Sequence, residues 1–71
     1  MEEVYIKGSY IELIKLLKHT GVVMSGSEAK QLVDEGMVKV DDKTEHRKRA
    51  KLTENTIVEV GERKYIIKLR T

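Results

Sequence analysis

The run from Ser25 to Asp41, S-G-S-E-A-K-Q-L-V-D-E-G-M-V-K-V-D, constrains the fold most, because it reads in turn as a capped helix, a glycine stop and a strand. Ser25 and Glu28 have the S-x-x-E spacing of a capping box, in which each side chain satisfies an otherwise orphaned backbone N–H, so a helix is predicted to begin near Gly26. Ala29, Leu32 and Val33 then share one face at i, i+3 and i+4. Gly36 suits the left-handed conformation that ends a helix, and beyond it Val38 and Val40 alternate with Lys39. The hydrophobic period thus changes from that of a helix to that of a strand across a single glycine.

The flanking sequence extends this unit to one α+β domain. Val4 to Lys7 suggests a short strand closed by Gly8, and Ser9 with Glu12 repeats the capping-box spacing, predicting a helix from about Tyr10 to His19. Tyr10, Leu13, Ile14 and Leu17 form its apolar stripe, Lys18 and His19 fall in the last turn where the helix dipole favours cations, and Gly21 ends it. Strands are predicted at Val38 to Val40, Thr44 to Arg47, Ile57 to Val60 and Lys64 to Leu69. Gly61-Glu62-Arg63 joins the last pair, with Tyr65, Ile67 and Leu69 on one face. The expected architecture is two helices packed on a small antiparallel sheet, undivided by any repeat, linker or low-complexity tract.

A chain of 71 residues buries only roughly 60% of its unfolded surface, so its core is economical and there is no room for a substrate domain. The absence of cysteine removes disulfides, thiolate nucleophiles and cysteine-based zinc sites, and fits a reducing cytosol. Apolar runs are far shorter than the ~20 residues that span a bilayer, and the acidic N-terminus lacks the basic and apolar regions of a signal peptide. The expectation is a soluble cytoplasmic monomer with no membrane partner. Charged residues make up 37% of the chain, against roughly 25% on average, which fits either heat tolerance or the large surface of a small domain.

A net charge of +2 conceals a strong asymmetry. Between positions 43 and 51 stand Lys43, Arg47, Lys48, Arg49 and Lys51 against the single acid Glu45, whereas the remaining residues are net acidic. All the excess positive charge therefore lies in one segment, the footprint expected for binding a polyanion, although a solvated loop that merely keeps the protein soluble has the same composition. Arginine forks suit phosphate oxygens and lysine acts as a mobile point charge. If Thr44 to Lys48 is extended, Arg47 and Arg49 point one way and Lys48 the other. Arg47 to Lys51 also matches short nuclear-import patterns, which arise commonly by chance.

Helix starts offer free N–H groups and a partial positive charge, so Ser25, Gly26 and Ser27 form a plausible phosphate seat or simply a capped helix end. Lys30, one turn in, either extends that seat or pairs with Asp34. Catalysis is not expected. His19 reads as a helix C-terminal cation and His46 as part of the basic surface, the acids lack a matching base or nucleophile, and Asp41-Asp42 reads as a turn rather than a metal site. No cofactor is implied. With no Phe or Trp, and with Tyr10 and Tyr65 assigned to apolar stripes, Tyr5 alone is no stacking platform, so recognition of folded RNA through phosphates and shape is the expected mode.

Leu13, Leu16 and Leu17 before Gly21-Val22-Val23, then Ser25-Gly26, Glu28-Ala29-Lys30, Leu32-Val33, Gly36, Val38 and Val40, followed by Arg47-Lys48-Arg49-Ala50-Lys51-Leu52, resemble the RNA-binding domain named after small-subunit ribosomal protein S-four. The nearest pattern is that of its small stand-alone bacterial members, and the likeness covers roughly residues 4 to 60. Asp41-Asp42 stands where the family has Asn-Gly, leaving the turn type open, and Glu54-Asn55-Thr56 replaces Pro-Gly-Asp. The resemblance implies the alpha-L arrangement of two helices on a sheet, a basic RNA contact at Lys30, and structured RNA, ribosomal in origin, as partner. The implied function is ribosome assembly or a ribosome-associated step. Alternatives are recycling of stalled large subunits, as in heat-shock relatives, or a protein-binding adaptor whose basic segment meets an acidic partner.

Overall fold

The computed structural model describes residues 1–70. Its elements are β1 (Glu2–Ile6), β2 (Ile11–Glu12), α1 (Leu13–Thr20), α2 (Gly26–Asp34), β3 (Val38–Val40), β4 (Lys43–Thr44), β5 (Lys51–Leu52), β6 (Ile57–Val60) and β7 (Arg63–Leu69). Five strands form one sheet in the order β1-β7-β6-β3-β4, and β2 pairs with β5 in a separate two-stranded ribbon. The α+β class with two helices is as expected, but the sheet is mixed. Glu2 to Ile6 run parallel to Tyr65 to Leu69 while every other pair is antiparallel. A parallel pair needs a long crossover, and nearly the whole domain lies between β1 and β7 to provide one.

The second helix forms as its sequence dictates. Ser25 Oγ accepts the Glu28 N–H at 3.2 Å, and Glu28 Oε1 accepts the Met24 N–H at 3.1 Å, so the box closes one residue ahead of the cap. At the other end Gly36 takes φ 73, its N–H reaches the Val33 carbonyl at 3.1 Å and the Met37 N–H reaches that of Leu32 at 3.0 Å. These two bonds make a Schellman motif, which satisfies the last carbonyls and turns the chain directly into β3.

The first helix starts three residues later than its sequence predicts, at Leu13 rather than Tyr10. Glu12 is the N-cap in an extended conformation and its side chain makes no capping bond, so the Ser9–Glu12 box does not form. Its work is done from far along the chain. Ile11 and Glu12 pair with Leu52 and Lys51, and the N–H groups of Leu13 and Ile14 donate to the carbonyls of Ala50 at 2.9 Å and Lys48 at 3.3 Å. Tyr10 is consequently outside the helix and 44% exposed, not part of an apolar stripe.

Leu13, Leu16 and Leu17 of α1 and Ala29 and Val33 of α2 are buried together with Val38, Val58, Tyr65 and Ile67 of the sheet. Each large aliphatic side chain so buried contributes about 1.5–3 kcal/mol, which is how a chain this short holds its shape. No charged residue lies in this core among the described residues. Asp41 and Asp42 take φ 50 and φ 69, and Val40 stands opposite Lys43, the type I′ geometry of a two-residue hairpin. Asp41 fixes that turn to β6, its N–H donating to the Ile57 carbonyl at 2.8 Å and its Oδ1 accepting the Ile57 N–H at 3.0 Å. Among the described residues no helix is long and apolar enough to cross a membrane, and no group of three or more His, Cys, Asp or Glu side chains is placed to hold a metal.

Candidate nucleic-acid interface

The basic segment is a shaped loop rather than the strand predicted for Thr44 to Arg47. Pairing with β3 stops at Thr44, after which the Glu45 N–H reaches the Val38 carbonyl at 2.9 Å and the Glu45 carboxylate folds back on Arg47. Its Oε2 accepts the Arg47 backbone N–H at 3.0 Å and Nε at 3.1 Å, and its Oε1 accepts Nη2 at 3.1 Å. Those local bonds are incompatible with a continued ladder. A turn then closes with the Ala50 N–H on the Arg47 carbonyl at 3.2 Å.

This turn docks on the first helix. Ala50 is buried, and the carbonyls of Ala50 and Lys48 cap α1, so the backbone beneath the basic side chains is held from both sides. Arg47, Arg49 and Lys51 ring a hollow of about 410 Å³ whose floor is Ala50. Lys48 turns the other way and meets Asp34, at the end of α2, with Nζ 3.1 Å from Oδ1. Arg47 and Arg49 thus lie apart from Lys48 through a turn, and the extended segment on which the alternation argument depended is not formed. Lys43 sits on the neighbouring hairpin, exposed on the edge strand β4.

Charge within the loop is unevenly available. The Glu45 bonds hold its carboxyl below the usual range and raise Arg47, chiefly through their shared side-chain hydrogen bonds. Arg47 spends Nε and one edge of Nη2 on Glu45, leaving Nη1 for another oxygen. Lys48 is matched by Asp34, whereas Arg49 and Lys51 form no salt bridge among the described residues. Lys51 instead places Nζ 5.1 Å from the centre of the Tyr10 ring.

The start of α2 lies at the opposite end of that helix from the Lys48–Asp34 contact. Ser25 Oγ is committed to its cap and the Glu28 carboxylate stands beside the helix start, leaving the N–H groups of Gly26 and Ser27 as the outward donors. Ser27, Lys30 and Asp34 share one face at i, i+3 and i+7, spanning roughly 10 Å along the axis. Lys30 is exposed on that face and Asp34 pairs with Lys48 instead of with it, so Lys30 stands between the helix start and the basic loop. Sequence reading missed Glu45, Ala50 and Tyr10. The short i, i+2 spacing of Glu45 and Arg47 is a usable signal for the first, but the roles of the other two arise from pairing between distant segments.

Comparison with known proteins places this arrangement. Residues 4–68 match the family model of the S4 domain. Over 46 residues, 65% of this chain and 66% of the relative, the sequence is 48% identical to YbcJ of Escherichia coli (strain K12). The solution structure of YbcJ from E. coli, which has an alpha-L motif involved in RNA binding, superposes with a TM-score of 0.72 at 35% identity, covering 94% of this chain and 86% of that one. The chain is also 36% identical over 66 residues to the tyrosine–tRNA ligase of Bordetella pertussis, a match that takes in 92% of this chain but only 16% of the ligase.

Proposed function

Because this chain belongs to the S4 domain family, we propose that it binds structured RNA through the phosphate backbone, as a non-catalytic cytoplasmic monomer, and that the RNA is ribosomal. Its role in this reading is ribosome assembly or a ribosome-associated step. The observation that carries the proposal is the hollow ringed by Arg47, Arg49 and Lys51. It is concave, and its backbone is pinned to α1 by the Ala50 and Lys48 carbonyls, so the cations need little further ordering to meet a phosphate. An RNA backbone that leaves the hollow finds Lys30 and then the Gly26 and Ser27 N–H groups along the exposed face of α2. The alpha-L motif of YbcJ, involved in RNA binding on a similar fold, supports the same partner class.

The test is charge reversal of the loop. Changing Arg47, Lys48 and Arg49 to Glu abolishes co-sedimentation with ribosomal particles and binding to ribosomal RNA fragments, while circular dichroism and melting temperature stay close to those of the parent, because exposed charges contribute little to folding. Undiminished affinity in the folded variant would remove this loop from the mechanism. Retention on a partner after ribonuclease treatment would point to a protein in place of RNA.

A further inference from the structure

Two of the three aromatic side chains of this protein are exposed, and they line the same cleft. Tyr5, at the end of β1, is 47% exposed, and Tyr10, just before β2, is 44% exposed. Between them lies a cleft of about 300 Å³, lined also by Ile11, Lys7, His19 and Arg70. Isolated exposed apolar side chains are ordinary, but two rings around one hollow on a surface otherwise rich in charge are not. From this cleft, which rests on the RNA-binding reading above, we propose a second contact site of this protein: a seat for an unpaired nucleobase of the bound RNA, stacked against Tyr5 and Tyr10.

Charge argues for a nucleotide as the occupant. Lys7 and Arg70 line the cleft beside His19 and, among the described residues, no carboxylate does, so a base entering it brings its flanking phosphates to two cations. Glu3 is nearby but engaged, its Oε1 accepting the Tyr5 hydroxyl at 2.9 Å, which fixes the ring and keeps the phenol protonated. The Arg70 N–H donates to the Ile6 carbonyl at 2.8 Å, holding the end of β7 beside β1 and so forming one wall.

Continuity with the basic loop makes the second argument. Lys51 belongs to both surfaces, lining the loop hollow and standing over the Tyr10 ring. A strand whose phosphates lie in the hollow therefore passes directly to Tyr10, and an unpaired base at that point has an apolar cleft to enter. Paired bases have no exposed face to offer there, so the cleft adds a preference for single-stranded nucleotides adjoining a helix.

The test uses two RNA hairpins with the same stem, one blunt and one carrying a short tail of unpaired adenosines at its 3′ end. The tailed hairpin binds the parent protein about fivefold more tightly or better, in the range of stacking by a single base, and quenches the tyrosine fluorescence, which no tryptophan obscures. In Tyr5→Leu with Tyr10→Leu, which keeps the cleft apolar, the tail loses its effect, so that this variant binds the tailed and the blunt hairpin alike. A tail that adds nothing to the parent, or that adds the same in the double variant, overturns the stacking seat and leaves phosphate binding standing. Failure of the parent to bind either hairpin overturns the RNA reading and the seat together.

Discussion

Glu45 is the residue on which the basic loop turns, since it both shapes the backbone after β4 and competes for Arg47. Bonds from Arg47 pull its carboxyl below its ordinary value of 4.5. A carboxyl lowered in the folded state contributes stability at pH values above the ordinary range, and that contribution is lost as pH falls through the lowered value. Carboxyl NMR titration of Glu45 therefore gives a midpoint below 4.5, and the Arg47 Nε–H signal shifts with the same midpoint. Replacing Glu45 with Gln removes the negative charge held against Arg47 and releases half of the Arg47 fork. RNA affinity in this variant rises by about two- to fivefold, the scale of an exposed ion pair. Unchanged or weaker binding would mean that Glu45 orders Arg47 for RNA and does not compete with it.

At the scale of elements, the β3–β4 hairpin fixes where the basic loop leaves the sheet, and its two aspartates have different duties. Asp41 binds Ile57 through backbone and carboxylate, whereas Asp42 is exposed at φ 69. Asp42→Gly relieves the left-handed strain and raises stability by up to about 1 kcal/mol, while Asp41→Ala lowers it by about 1 kcal/mol through the lost cross-turn bond. Urea denaturation of both variants checks the pair, and equal effects would dissolve the distinction. The same contrast shows what the sequence could reveal. Ser25, Glu28 and Gly36 act on neighbours within a turn or two, so the bounds of α2 were readable from spacing alone. Ser9 and Glu12 have the same spacing but lose to carbonyls of Lys48 and Ala50, and no local pattern announces a partner that far away. Arg47, Lys48 and Arg49 were legible as cations, but alternation could divide them only in an extended segment, and their separation into hollow and α2 sides comes from a turn. The hollow itself depends on the Glu45 fold-back and on Ala50 being buried against α1, neither of which composition contains.

At the scale of the whole molecule, the proposed RNA surface is a band in which Gly26, Ser27 and Lys30 on α2, the loop hollow and the Tyr5–Tyr10 cleft are joined by short steps. The core beneath it contains no charge among the described residues, so the fold rests on Leu13, Leu16, Leu17 and their neighbours, while Lys30, Arg49 and Lys51 of the band face solvent and Arg47 is shared with Glu45. The central claim is that phosphate neutralisation by this band drives association. The most direct measurement is the affinity for a ribosomal RNA fragment as a function of salt, in the parent and in Arg49→Ala. Log affinity falls with log salt at a slope of about −3 to −5 in the parent, and the slope shrinks by about one in the variant, which loses an arginine with no carboxylate partner among the described residues. A flat dependence, or a slope that Arg49→Ala leaves unchanged, would contradict the account.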